Sequence, residues 1–131
     1  MIIQRFLLKD YDWKVVVLYN VTYKDVNIVH TILKEICDNN NIVYNSTKYI
    51  EEGRLNTGFV YSNFNIKSSV IVIGHSDSKK EFINTIAHEA NHLQSHIATV
   101  FNLDEKGEEV CYLIGTIIET MYKVFNKIIC K

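Results

Sequence analysis

The sequence predicts an α+β fold, a single domain over residues 1–131. Three observations support it: β-rich segments near the start, a nearly continuous β-branched segment at Ser69–Ile73, and two long amphipathic helical patterns that close the chain. The length fits one domain, and a hydrophobic content of 47% excludes a disordered chain. We expect five strand-like segments in total.

The chain begins with a predicted β-hairpin. Met1–Leu8 and Trp13–Val21 are β-rich and are separated by the turn-like residues Lys9–Asp12. Thr22 is expected to cap a helix that runs to about Cys37, because apolar residues recur there at helical spacing.

The middle of the chain is less regular. Polar residues at Asp38–Asn41 end the first helix, and Ile42–Asn56 is ambiguous. Phe59–Asn63 and Ser68–Ile73 are predicted strands, and the apolar run of the second is typical of a strand covered on at least one face. Gly74 closes this strand.

Two helices end the chain. The first is predicted over about Ser78–Phe101, with Ser76, Asp77 or Ser78 as the cap and Glu81 three residues after Ser78, as in a capping box. A short connection leads to the second, at about Glu108–Ile129. We therefore expect a small mixed or antiparallel sheet packed on these two helices.

Charge and cysteine content limit the function classes. The chain has 14 Lys+Arg and 15 Asp+Glu, whereas an electrostatic binder of nucleic acid or membranes would need a basic surplus. No export signal and no apolar stretch of about 18 residues is visible. Cys37, Cys111 and Cys130 are odd in number and form no CxxC pair, which indicates reduced cysteines in a cytoplasmic protein.

The most informative motif is the H-E-x-x-H pattern from His88 to His92, inside the first of the two closing helices. Residues four apart lie one turn apart on the same helix face, so both imidazoles can bind one zinc ion. Glu89 lies at the flank of that face, where its carboxylate can act as the general base on a water. The alternative is that His88 and His92 are surface histidines.

Two histidines leave a catalytic zinc one protein ligand short. The last helix begins with Glu108 and Glu109, either of which could arrive after the chain reverses. Helix geometry favours Glu108, because the small residues Cys111 and Gly115 share its line and would allow a close approach to the metal helix. As an alternative, either acid complements the helix dipole.

Taken together, these motifs resemble the gluzincin branch of the zincin metallopeptidases. The resemblance rests on His88-Glu89-x-x-His92 followed by a second helix that opens with Glu108 and has Gly at +7. It implies that His88, His92 and Glu108 bind Zn²⁺ and that Glu89 is the base. Tyr112 stands where the family has an Asp, so a phenol replaces the carboxylate behind a ligand histidine.

The resemblance extends upstream and covers about Gly58–Gly115. This part is similar to small predicted peptidases encoded by bacteriophages and Bacteroidetes genomes. It implies that Ser68–Ile73 is the edge strand on which a peptide substrate lies. Larger gluzincins take an oxyanion donor from a later domain; here the candidates for this catalytic role are His75, Tyr61 and Tyr112.

The sequence therefore predicts zinc-dependent hydrolysis of a peptide or protein substrate. The alternative is a catalytically inactive zincin-fold protein with a binding or structural role, such as a phage component that acts through a protein partner. A His92–His96 pair is an alternative metal site, because these residues are also four apart.

Overall fold

The computed structural model describes residues 1–53 and 57–129 and shows a mixed α+β domain. Its strands are β1 (Ile2–Leu8), β2 (Trp13–Val21), β3 (Gly58–Asn63) and β4 (Ser68–Gly74). Its α-helices are α1 (Val26–Lys34), α2 (Asn40–Glu51), α3 (Lys79–Phe101) and α4 (Glu108–Ile129). Short 3-10 turns at Lys9–Tyr11 and Tyr23–Asp25 follow the first two strands.

The four strands form one sheet in the order β1-β2-β4-β3. The predicted hairpin is confirmed: β1 and β2 pair antiparallel, with Phe6 opposite Val15. The pairing of β2 with β4 is parallel, and that of β3 with β4 is antiparallel. The sheet is therefore mixed, with four strands in the described residues instead of the five strand-like segments expected.

Strand β4 lies inside the sheet, between β2 and β3. The expectation that Ser68–Ile73 is the edge strand is therefore wrong. All seven residues of β4 are buried, because both of its hydrogen-bonding edges are paired and both of its faces are covered. The edge strand on this side of the sheet is β3, whose six residues are only half-buried.

Helices cover both faces of the sheet. On one face, Ile71 and Ile73 of β4 join a core that includes Leu93 of α3 and Ile117 of α4. On the other face, alternate residues of β4 pack against α1 and α2. Most of the ambiguous region Ile42–Asn56 belongs to this second layer, because Asn40–Glu51 is a helix. Residues 54–56 lie outside the described part of the chain.

Local capping explains where the helices begin. Asn39 accepts the backbone N–H of Asn41 at 2.9 Å, which starts α2. Of the three candidate caps of α3, the structure uses Ser78, since its Oγ accepts the Glu81 N–H at 3.2 Å. Thr22 caps a 3-10 turn, not α1 itself, because its N–H donates to the Asp25 carboxylate at 2.8 Å. Helix α1 is thus shorter than expected.

In the described part of the chain, none of the helices combines the length and apolarity that a membrane crossing requires. Cys37 is buried and Cys111 is exposed, and neither forms a disulfide with a described residue. Cys130, expected near the end of the last helix, lies outside the described residues. The cytoplasmic location stays a prediction.

Two glycines provide a matched test of this fold. A methyl group at Gly58 of β3 would overlap the backbone carbonyl oxygen of Val72 in β4, whereas one at Gly115 of α4 meets nothing within 4 Å. Gly58→Ala should therefore destabilise the protein by about 1–3 kcal/mol. Gly115→Ala should stabilise it by about 0.5–1 kcal/mol, because alanine restricts the unfolded chain and favours the helix.

Urea unfolding of both variants measures these free energies. Equal or opposite changes would show that β3 does not approach β4 as closely as described.

Candidate metal centre

Helix α3 packs on the sheet through one face, and this face decides the environment of the H-E-x-x-H motif. Its buried positions include Ile86, Ala90, Leu93 and Ile97, which belong to the core. Glu89 belongs to the buried set as well, with only 3% of its side chain exposed. The motif therefore lies across the boundary between the core and the surface.

The two histidines of the motif lie at the exposed margin of this face. The Nε2 atoms of His88 and His92 are 3.1 Å apart, and their rings meet edge to face. The Glu89 Oε1 atom is 3.8 Å from the His88 Nε2 atom. Among the described residues, these three side chains are the group whose ligand atoms all lie within 4.8 Å of one another.

The Glu89 carboxylate is buried without a complete set of partners. Its Oε2 atom is inaccessible to solvent and accepts no hydrogen bond from any described residue. Burial raises the pKa of Glu89, and the nearby His88 and His92 oppose this rise. A buried carboxylate oxygen with no donor is costly, so this position favours a cation or a donor from outside the protein.

The two imidazoles are spaced to hold a zinc ion, with the Glu89 carboxylate beside them. Two imidazole nitrogens bound to one tetrahedral zinc, each at about 2.0–2.1 Å, lie about 3.3 Å apart. The His88–His92 separation of 3.1 Å is close to this value. The same separation also allows an N–H···N hydrogen bond between the rings when no ion is bound. Two nitrogens and one carboxylate form a donor set typical of zinc sites.

The structure does not bring Glu108 to the two histidines. Glu108 lines a cavity of about 750 Å³ between the start of α4 and the end of β1. Glu109 lines the same cavity and accepts a hydrogen bond from the Tyr11 hydroxyl at 3.1 Å. Strand β1 is at the opposite edge of the sheet from β3. Neither acid belongs to the cluster around His88.

The orientation of α4 explains this outcome. Val110, Leu113 and Ile117 lie on the buried stripe of α4, and this stripe packs on the sheet. Glu108 precedes Val110 by two residues, about 200° around the helix, so it points away from the core. Cys111 on the same line is exposed. The small residues thus face outward, and they do not form the contact between α4 and α3.

The other predicted catalytic residues also lie apart from the cluster. His75 follows β4, where its Nδ1 is hydrogen-bonded with Asn20 at 2.5 Å and its Nε2 with Asp77 at 3.0 Å. His75 is therefore near the start of α3, whereas His88 lies nine residues after Lys79, the first residue of this helix, which is about 13 Å along the helix axis. Tyr112 is 72% exposed and lines the same cavity as Glu108.

Tyr61 is on the opposite face of the sheet from α3, the helix that carries the H-E-x-x-H motif. A hydrogen bond to Cys37, together with burial, raises the pKa of Tyr61 to about 12. It packs against the core that α1 and α2 cover. None of the three candidates for the oxyanion donor therefore joins His88 and His92 in the described structure.

Sequence reasoning missed the surroundings of His96. This residue is one turn after His92, and its Nδ1 atom is 2.6 Å from the Ser62 Oγ atom of the edge strand β3. The two residues are separated by 34 positions. Only the spacing of His96 from His92 is visible in the sequence; nothing marks Ser62 as its partner.

Comparison of the chain with protein-family models, with curated proteins and with solved structures finds no match in any of the three. The site must therefore be interpreted from its own geometry.

The buried Glu89 carboxylate makes a testable contribution to stability. Because burial raises its pKa in the folded state, the folded protein holds this proton more tightly than the unfolded chain does. The metal-free protein should consequently lose stability as the pH rises from the unfolded pKa through the folded one. Glu89→Gln removes the charge and should remove this loss.

Urea unfolding with a chelator present, at several pH values from 4 to about 8, tests this prediction. The stability advantage of the Gln variant should grow with pH. A constant difference across the range would mean that the carboxylate is not desolvated.

Proposed function

We propose that the protein is a zinc-dependent hydrolase of peptide bonds, with His88 and His92 as zinc ligands and Glu89 as the general base. One observation carries this proposal: a buried carboxylate with an unpartnered oxygen adjoins two imidazole nitrogens that are 3.1 Å apart. A merely solvated helix face would not bury the acid between the histidines. The H-E-x-x-H resemblance supports the same assignment.

The raised pKa of Glu89 suits the role of a base that must later release its proton. Desolvation raises the pKa of this carboxylate, which makes it a stronger base. Glu89 takes a proton from the attacking water and passes it to the leaving amine. When bound, zinc would supply a Lewis acid that acidifies the water and polarises the scissile carbonyl.

The free edge of β3 offers a place for the peptide. This strand is at the sheet edge next to α3, and its backbone groups on the open side are available for an added strand. Helix α3 begins five residues after β4 ends, so it runs back along the sheet in the direction of β3. A peptide added to β3 would thus extend past the histidines.

A second candidate function is a zinc site with a binding role and no hydrolysis. The absence of Glu108 from the cluster favours it, because Glu89 then becomes the third candidate ligand within 4.8 Å in the described structure. In that arrangement Glu89 holds the ion and cannot also act as a free base. Under this second candidate function, the zinc site would serve to bind the protein partner that the sequence analysis considered.

Metal titration tests the ligand set. His92→Ala should reduce zinc affinity by two orders of magnitude or more, because it removes one of two imidazole ligands. Glu108→Gln is the matched control and should bind zinc as the unsubstituted protein does, since this acid lines the cavity beside the end of β1. Competition with a fluorescent chelator measures both constants. If Glu108→Gln loses zinc instead, α4 must rearrange when the ion binds.

Hydrolysis of a peptide library by the zinc-loaded protein tests the reaction. Cleavage should stop with a chelator and fall by about 10²–10⁴-fold in Glu89→Gln, because general-base catalysis is lost. This variant should retain zinc. If it loses zinc instead, Glu89 is a ligand and the second candidate is correct.

A further inference from the structure

A chain of side-chain hydrogen bonds runs across the sheet to α3. The Trp13 indole N–H of β2 donates to the Ser69 hydroxyl of β4 at 2.8 Å. The Ser69 and Ser62 hydroxyl oxygens are 2.6 Å apart, and Ser62 is in turn 2.6 Å from the Nδ1 atom of His96. Trp13 and Ser69 are fully buried, whereas Ser62 and His96 are half-buried. The chain therefore leads from the core to the side of the edge strand that faces α3.

The donor at its buried end gives this chain a direction. An indole N–H can only donate, so the Ser69 oxygen accepts from Trp13. The hydroxyl proton of Ser69 then has one described acceptor, the Ser62 oxygen, and the Ser62 proton goes on to the Nδ1 atom of His96. The reverse order would leave the Ser69 proton buried without an acceptor, which is unfavourable.

The chain therefore fixes the tautomer of His96. With Nδ1 as acceptor, the ring proton is on Nε2. Burial and the neighbouring His92 lower the pKa of His96, so the neutral ring is favoured at pH 7. Among the described residues Nε2 has no hydrogen-bond partner, and the edge of the Phe64 ring lies beside the imidazole at 5.5 Å between centroids. This part of the structure thus presents an oriented N–H that has no acceptor among the described residues.

This free donor lies close to the cluster. His96 is one helical turn after His92, about 6 Å along the axis, and on the flank of α3 that contacts β3. A ligand oxygen held between the histidines and the edge strand would be within reach of such a donor. His75, Tyr61 and Tyr112 lie elsewhere in the described structure.

We propose that His96 is a further catalytic residue, whose Nε2–H donates a hydrogen bond to the carbonyl oxygen of the bound peptide. This inference rests on the proposed function. As the water oxygen bonds to the carbonyl carbon, the π electron pair moves onto the carbonyl oxygen and Glu89 takes the water proton. The pair returns when the C–N bond breaks, and the proton passes to the amine. His96 keeps its own proton and stabilises the charged oxygen.

The tautomer can be measured without any activity. Long-range ¹H–¹⁵N spectra of the histidine-labelled, zinc-loaded protein should show His96 protonated at Nε2 and not at Nδ1. Ser62→Ala removes the hydrogen bond to Nδ1 and should give a mixture of tautomers. A ring protonated at Nδ1, or at both nitrogens at pH 7, overturns the proposal.

Kinetics test the catalytic role. His96→Phe keeps an aromatic ring beside Phe64 but removes the N–H, and should lower kcat by about 10²–10³-fold with little change in KM or zinc affinity. Ser62→Ala should lower kcat by less and serves where the Phe variant does not fold. Glu51→Gln, at the exposed end of α2 on the other face of the sheet, is the control with unchanged kcat. Unchanged kcat in a folded His96→Phe variant overturns the role of His96.

The two proposals fail in different ways. If the unsubstituted protein binds zinc but cleaves no peptide, both the proposed hydrolase activity and the catalytic role of His96 are wrong. If it cleaves peptides and a folded His96→Phe variant does so equally well, only the role of His96 falls.

Discussion

The candidate site depends on how the apolar stripe of α3 meets the sheet. Burial of this stripe fixes the rotation of the helix about its axis, and with it the environment of every side chain in the motif. Glu89 falls just inside the buried boundary and the two histidines just outside it. A rotation of one residue in one direction would expose the carboxylate, and in the other direction it would bury both imidazoles. The packing of the core thus creates the desolvated acid beside two accessible nitrogens.

Burial of an apolar stripe also fixes the rotation of α4, but here it turns the candidate ligand away from the site. The apolar stripe of α4 determines its buried face, and Glu108 lies nearly opposite to this stripe. The acid is therefore directed into a cavity beside β1, at the far edge of the sheet from β3. Burial of several large side chains outweighs any preference of a single carboxylate for a distant ion, so the stripe decides the outcome.

The sheet contributes more than a platform for the helices. Because β4 pairs on both sides, its neighbour β3 becomes the free edge, and the residues of β3 on the α3 side face the metal helix. Ser62 stands opposite Ser69 in the antiparallel register, which places their hydroxyls on one face. This register lets a polar chain that starts at a buried indole end at His96, one turn from the candidate metal ligands.

Sequence by itself determined the local features: the hairpin, the bounds of α3 and α4, the cap at the start of α3, and the joint face of His88 and His92. These depend on periodicity and capping within a few residues, which the chain carries locally. Only the tertiary structure decided which strand is the edge, which face of α4 is buried, and that Ser62 meets His96. These outcomes depend on competition between whole apolar faces distant in the chain, which no single motif encodes.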